Sequence, residues 1–173
     1  MAVAARIRAK KLPSRIAGRR SPNLAGAIEG TIIATAVVAG LGEAEATPSR
    51  ALMLLFATGT FFWAAHVYAV LLAERIHGRH RMMPVDVGRV MALEWPLLLA
   101  ALPLCLPITA GAFGIIGNDL SLGLALITGM LMLVAWGVLF ARREGHGPGG
   151  ILIAAFLNGL VGLSIVALKA ALP

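Results

Sequence analysis

Two acids and one histidine stand inside otherwise apolar stretches of this 173-residue chain: Glu29, Glu94 and His66. Asn158 is a fourth polar group set into such a stretch. A charge at the centre of a bilayer costs on the order of 2.5–3.5 kcal/mol on insertion scales, so a carboxylate kept there needs a partner or a task. Two carboxylates and an imidazole can ligate a divalent transition metal such as Fe, Mn or Zn. The same groups can pass a proton, because histidine titrates near neutral pH. Asn158 would add a carbonyl ligand or orient a neighbour. Two plainer roles compete. In one, His66 bonds Glu29 or Glu94 simply to hold helices together, although interhelical hydrogen bonds in membranes average only about 0.6 kcal/mol. In the other, the two acids are shallow enough to reach the interface, with Glu94 pairing Arg89.

The elements that carry these groups are long apolar runs. Hydrophobic residues make up 59% of the chain and charged ones 13%. A soluble domain is nearer 45–50% apolar and about 25% charged. Five runs reach spanning length, at about 24–42, 51–73, 90–113, 120–140 and 151–171, which predicts an all-α bundle of five transmembrane helices. The third contains Pro96, Pro103 and Pro107, each removing a helix hydrogen bond, so it is expected to be kinked or partly unwound. Residues 1–22 form a tail with seven basic residues and no acid, and 23–173 form the membrane domain. The form of Ala44-Glu45-Ala46 matches a signal-peptide cleavage site, but the preceding run is longer than a signal peptide's apolar core and is interrupted by Glu29.

Charge sets the orientation. Of the 15 Lys and Arg residues, 13 fall in the tail, in the connection 74–89 or in the connection 141–150. All three lie on one side of a five-span chain, and only Arg50 and Lys169 fall on the other. This asymmetry predicts a cytoplasmic N-terminus and an external C-terminus in the inner (plasma) membrane, as a multi-pass protein. It also predicts contact with anionic lipids at the cytoplasmic face and no role for nucleic acid, although the net charge is +7.

Depth then links the polar groups. Glu29 lies five residues into the first run, and Glu94 five residues after Arg89. His66 precedes Glu74 by eight residues, and Asn158 follows Gly150 by eight. At 1.5 Å per residue all four are roughly 7–12 Å inside the cytoplasmic ends. Weaker signals surround this layer. Gly26 and Gly30 have the spacing that lets another helix approach closely. Thr31 and Thr35 share a face and are expected to bond back to their own helix. Trp63, Tyr68 and Trp95 are candidates for an interfacial belt. The pair His77 and His80 lies among arginines, where a positive field opposes cation capture and favours lipid headgroups. The single cysteine, Cys105, cannot form an intrachain disulfide. No nucleophile elbow, phosphate loop, zincin motif or paired-cysteine motif is present, so an enzyme is not expected.

The stretch Ile28-Glu29-Gly30-Thr31-Ile32-Ile33-Ala34-Thr35, with Val37-Val38-Ala39-Gly40-Leu41 after it, resembles the first helix of the vacuolar iron transporter family. That resemblance implies five spans, a dimer, and exchange of a divalent metal for protons, with Glu29 in the place of a transport-path aspartate. The chain departs from the family in its second run, where Phe61-Phe62-Trp63-Ala64-Ala65-His66 replaces further acidic and Met residues. It departs again in the 16-residue connection 74–89, which is more basic than acidic. In its Ala, Arg and Leu richness the chain also resembles small integral membrane proteins of high-GC bacteria, which implies no activity. The expected function is transport of a divalent metal ion or of protons through Glu29, His66, Glu94 and Asn158. The alternative is an accessory or assembly protein in which the same layer is structural. A homodimer is expected, because so small a bundle hides few polar groups alone.

Overall fold

The computed structural model of the chain describes residues 24–41, 47–76 and 84–171, with backbone alone for 84–86. The basic tail, the Ala44–Ala46 segment, His77 and His80 lie outside the described residues. Seven helices follow in order: α1 (Leu24–Ala39), α2 (Pro48–Ile76), α3 (Pro84–Leu93), α4 (Trp95–Leu99), α5 (Leu102–Ala112), α6 (Asn118–Arg143) and α7 (Pro148–Ala171). No strand occurs among the described residues.

Proline and glycine set most of these boundaries. Pro48, Pro84 and Pro148 each open a helix, and Pro96 and Pro103 fall in the first positions of α4 and α5. There the missing N–H costs nothing and the fixed φ is already helical. At the other ends, Gly114 and Gly145 take φ of 70° and 76° after α5 and α6. In each case the following residue donates back across the last turn: Ile115 N–H to Ala110 at 2.9 Å, and His146 N–H to Ala141 at 3.0 Å. This is the Schellman closure, and it satisfies carbonyls the helix end would otherwise orphan.

Three helices, α2, α6 and α7, are long and apolar enough to cross a membrane. The expected third span is broken, as its prolines require. A 52° bend separates 87–99 from α5, and counted as one span the bent pair makes a fourth. The expected first span yields a helix of 16 residues. At 1.5 Å per residue α1 is about 24 Å long, short of a hydrocarbon core of about 30 Å.

Short as it is, α1 occupies the centre, packed against α2, α4, α6 and α7. Its buried face is almost entirely small: Gly26, Ala27, Gly30, Thr31, Ala34 and Thr35. Between apolar helices in lipid there is no hydrophobic gain from association, so small residues that let backbones touch supply the packing. A Cβ on Gly30 would run into the carbonyl of Leu97 in α4, and one on Gly129 in α6 into the Thr35 side chain. The end of α1 is closed from another helix. Lys169, in the last turn of α7, donates to the carbonyls of Ala39 at 3.4 Å and Leu41 at 3.1 Å. The C-terminal ends of α1 and α7 therefore share one face of the bundle.

Candidate functional site

Glu29 leaves α1 one residue before Gly30, at the point where α1 touches the backbone of α4. Glu94 occupies the break itself, between α3 and α4. Its own N–H still bonds to Val90 at 3.0 Å, but Leu97 N–H turns to the Glu94 carbonyl at 3.2 Å in a tighter turn. Pro96 explains the change, since it has no N–H to continue the ladder. His66 lies on α2, facing both.

The imidazole bridges the two carboxylates. His66 Nδ1 is 3.7 Å from Glu29 Oε2, and His66 Nε2 is 3.6 Å from Glu94 Oε2. Three of the four polar residues expected in this layer therefore do meet. They meet in a row, carboxylate–imidazole–carboxylate, because the two ring nitrogens point away from each other. No single ion can be ligated by the ring and both acids through these contacts. Among the described residues no group of three or more His, Cys, Asp or Glu side chains is placed to hold a metal ion. Exposure falls along the row: the Glu29 side chain is 45% exposed, that of His66 33%, and that of Glu94 7%. One end opens to the surroundings of the bundle and the other is closed inside it.

Asn158 lies on another seam. Its amide donates to the Ala154 carbonyl of its own helix at 3.0 Å. It packs where α7 meets Gly137 of α6, so closely that a Cβ on Gly137 would lie 2.9 Å from the amide nitrogen. The expected partners Glu94 and Arg89 each have another contact. Arg89 reaches Glu74 at the end of α2, 3.6 Å away, while Glu94 faces His66.

The surroundings of the row are aromatic. Trp63 is one turn from His66 on α2, and Trp95 directly follows Glu94. Their rings meet edge to face, with centroids 5.8 Å apart and planes at 87°. The Trp63 indole N–H is buried and has no acceptor among the described residues. Trp95 keeps 48% of its surface open. On the other side of α1, Thr31 and Thr35 bond back to Ala27 and Thr31 carbonyls at 2.8 and 2.7 Å, as expected. Thr31 also accepts a hydrogen bond from Trp136 Nε1 of α6 at 3.1 Å, a tie that sequence reasoning missed. The signal was there: Trp136 lies seven residues before Arg143, much the same depth as Thr31. No protein-family model, curated protein or solved structure matches the chain.

Proposed function

We propose that this chain is a proton-coupled membrane transporter whose proton path is the row Glu29–His66–Glu94. The observation that carries this is the bridging imidazole, with a different carboxylate at each ring nitrogen. A protein that needed only a polar tie between helices could use one such contact. Two contacts on opposite nitrogens let a proton arrive on one and leave from the other. Glu29, the open end, takes up the proton and passes it to Nδ1 once their 3.7 Å contact closes to the roughly 2.6–3.2 Å that transfer needs, or through one bridging water. Nε2 then gives its proton to Glu94, the closed end, and the ring is left neutral in its other tautomer.

Glu94 gives that proton a mechanical consequence. It interrupts the helix between α3 and α4, upstream of the 52° bend that falls between Leu99 and Leu102 of the same apolar segment. An ionised Glu94 is drawn to a protonated His66 and ties the break to α2. Once Glu94 is protonated and His66 neutral, that attraction is gone, which weakens the tie of α4 to α2 and favours a change of bend near Pro96, Pro103 and Pro107. In the full reading the chain crosses the inner membrane five times, N-terminus in the cytoplasm. The charge asymmetry supports that topology, and the shared face of the α1 and α7 ends agrees with it. The likeness of the first helix to vacuolar iron transporters supports exchange of protons for a cation. Among the described residues no ligand set converges on one point, which favours the proton half of that likeness over the metal half.

The second reading, a structural layer in an accessory protein, is favoured by one observation: α1 is also tied by Trp136 to Thr31, so polar contacts do brace this bundle. Proton uptake into proteoliposomes with an internal pH dye separates the two. The relay requires Glu29→Gln, His66→Ala and Glu94→Gln each to abolish uptake in protein that still purifies as a folded species. Uptake at the wild-type rate in all three, or no uptake by the wild type, would overturn it.

A further inference from the structure

We infer that Trp63 is a positioning residue for the inner step of the relay, its indole N–H being the donor that holds the Glu94 carboxylate when His66 offers it none. This rests on the relay reading and adds one residue to it. Trp63 and His66 are three residues apart and share a face of α2. Across from them, Glu94 and Trp95 are neighbours at the start of α4. Two contacts therefore run side by side between the same elements. One is ring on ring from Trp63 to Trp95, with centroids 5.8 Å apart, and the other is His66 Nε2 to Glu94 Oε2 at 3.6 Å. The Trp63 side chain is partly exposed but its nitrogen is buried, so the polar edge of the ring turns into the bundle.

That N–H has no acceptor among the described residues. A buried donor left unbonded is costly, and a phenylalanine would still meet Trp95 without that cost. Among the described residues the buried polar side chains are Thr31, Thr35, Glu94 and Ser121. The hydroxyls all donate to carbonyls of their own helices, on α1 and α6. Glu94 alone belongs to the segment that Trp63 touches. Its carboxylate has about four lone-pair sites, so it has room for the indole beside the partners it already has. The relay creates the need for that donor. Once Nε2 has given its proton to Glu94, the neutral ring keeps its proton on Nδ1 and turns a lone pair toward the acid. When Glu94 then gives the proton to water, a carboxylate is left facing that lone pair in the closed part of the bundle. A swing of the carboxyl toward Trp63 supplies an N–H and keeps the acid in line until the ring recovers its Nε2 proton.

Trp63→Phe tests this, since it keeps an aromatic ring on Trp95 and removes the donor. The purified full-length variant should unfold in SDS close to wild type and lose proton uptake in proteoliposomes about 10–100-fold, the factor carried by a hydrogen bond to a charged group. A residue that only packs would show the reverse, stability lost and uptake kept. The indole N–H signal of tryptophan-labelled protein is a second readout, independent of uptake. In His66→Ala in alkaline buffer Trp63 is the donor left on this face of α2, so its indole proton should move downfield of the wild-type position. Adding Glu94→Leu should cancel that move. Wild-type uptake in Trp63→Phe, with Glu29→Gln, His66→Ala and Glu94→Gln inactive, would overturn the role of Trp63 and leave the relay standing. No uptake by the wild type would remove both. Should Trp63→Phe fail to fold, the indole signal decides: a position unmoved by His66→Ala, or a move that survives Glu94→Leu, would overturn the inference.

Discussion

The Glu–His–Glu row depends on one hydrogen atom in α1, and replacing Gly30 by Ala tests that dependence. Gly30 presses its Cα directly against the Leu97 carbonyl of α4, and a Cβ there would overlap that oxygen and crowd the backbone carbon as well, at 2.9 Å. Real Cβ atoms essentially never come within 3.0 Å of another heavy atom. The obstacle is backbone, not the end of a mobile side chain, so α1 and α4 must part by about 1 Å, since a close-packed interior has no slack to absorb the methyl. Overpacking of this kind costs about 1–3 kcal/mol. The displacement also acts on function. Glu29 adjoins Gly30, and its contact with His66 is already 3.7 Å long. An added ~1 Å takes the pair past the roughly 4 Å within which an ion pair is counted. Gly59→Ala is the internal control, because its Cβ would meet only the tip of the Leu98 side chain at an ordinary 3.4 Å. Equilibrium unfolding of purified protein in mixed micelles by added SDS reads the stability, and proton uptake in proteoliposomes reads the row. Gly30→Ala should lose about 1–3 kcal/mol and most of its uptake, and Gly59→Ala should keep both nearly intact. If the two variants unfold within about 0.5 kcal/mol of each other, the range of an inconsequential substitution, the close approach of α1 to α4 does not hold the site together.

Gly88→Ala should act in the opposite direction: Gly88 is exposed within α3 and nothing lies within 4 Å of its Cβ position, so the same unfolding assay should show a gain of roughly 0.5–1 kcal/mol. Trp136→Phe removes the indole donor to Thr31 while leaving Thr31 bonded to Ala27, so a loss near 0.6 kcal/mol is expected, with proton uptake preserved. Lys169→Met strips the cap from the Ala39 and Leu41 carbonyls. It should cost about 1 kcal/mol and speed amide exchange in the last turn of α1, measured by hydrogen–deuterium exchange. Gly137→Ala should disrupt the seam of α6 and α7, because its Cβ would lie 2.6 Å from the Ala154 carbonyl; a stability equal to wild type in SDS titration would contradict that packing.

The meeting of Glu29, His66 and Glu94 was legible from the chain, and direction around each helix was not. Counting residues from charged ends put Glu29, His66, Glu94 and Asn158 in one layer, and three of them meet. Asn158 faces elsewhere because Gly137 leaves a groove for it, and which face of a helix finds a groove depends on all its neighbours. The break in the third segment followed from three prolines. That Glu94 would be the residue at the break did not, since Pro96 shifts the bonding of Leu97 to Glu94 by local geometry. Arg89 shows the same limit from the other direction: five residues from Glu94, it instead reaches Glu74, near the end of α2. The small residues of α1 announced close packing, but Leu97 as the surface they touch belongs to the tertiary fold. That Trp63 and Trp95 pack on each other beside the row is a tertiary contact that depth alone does not give.

Nitrogen-15 NMR of ring-labelled histidine asks most directly whether the imidazole serves two carboxylates through two nitrogens. With His77, His80 and His146 replaced by Gln, the remaining signals belong to His66. A bridging ring requires Glu29→Gln to shift the Nδ1 resonance and leave Nε2 close to its wild-type position, and Glu94→Gln to do the reverse. Identical spectra for wild type and both variants, or both variants moving the same nitrogen, would contradict the relay.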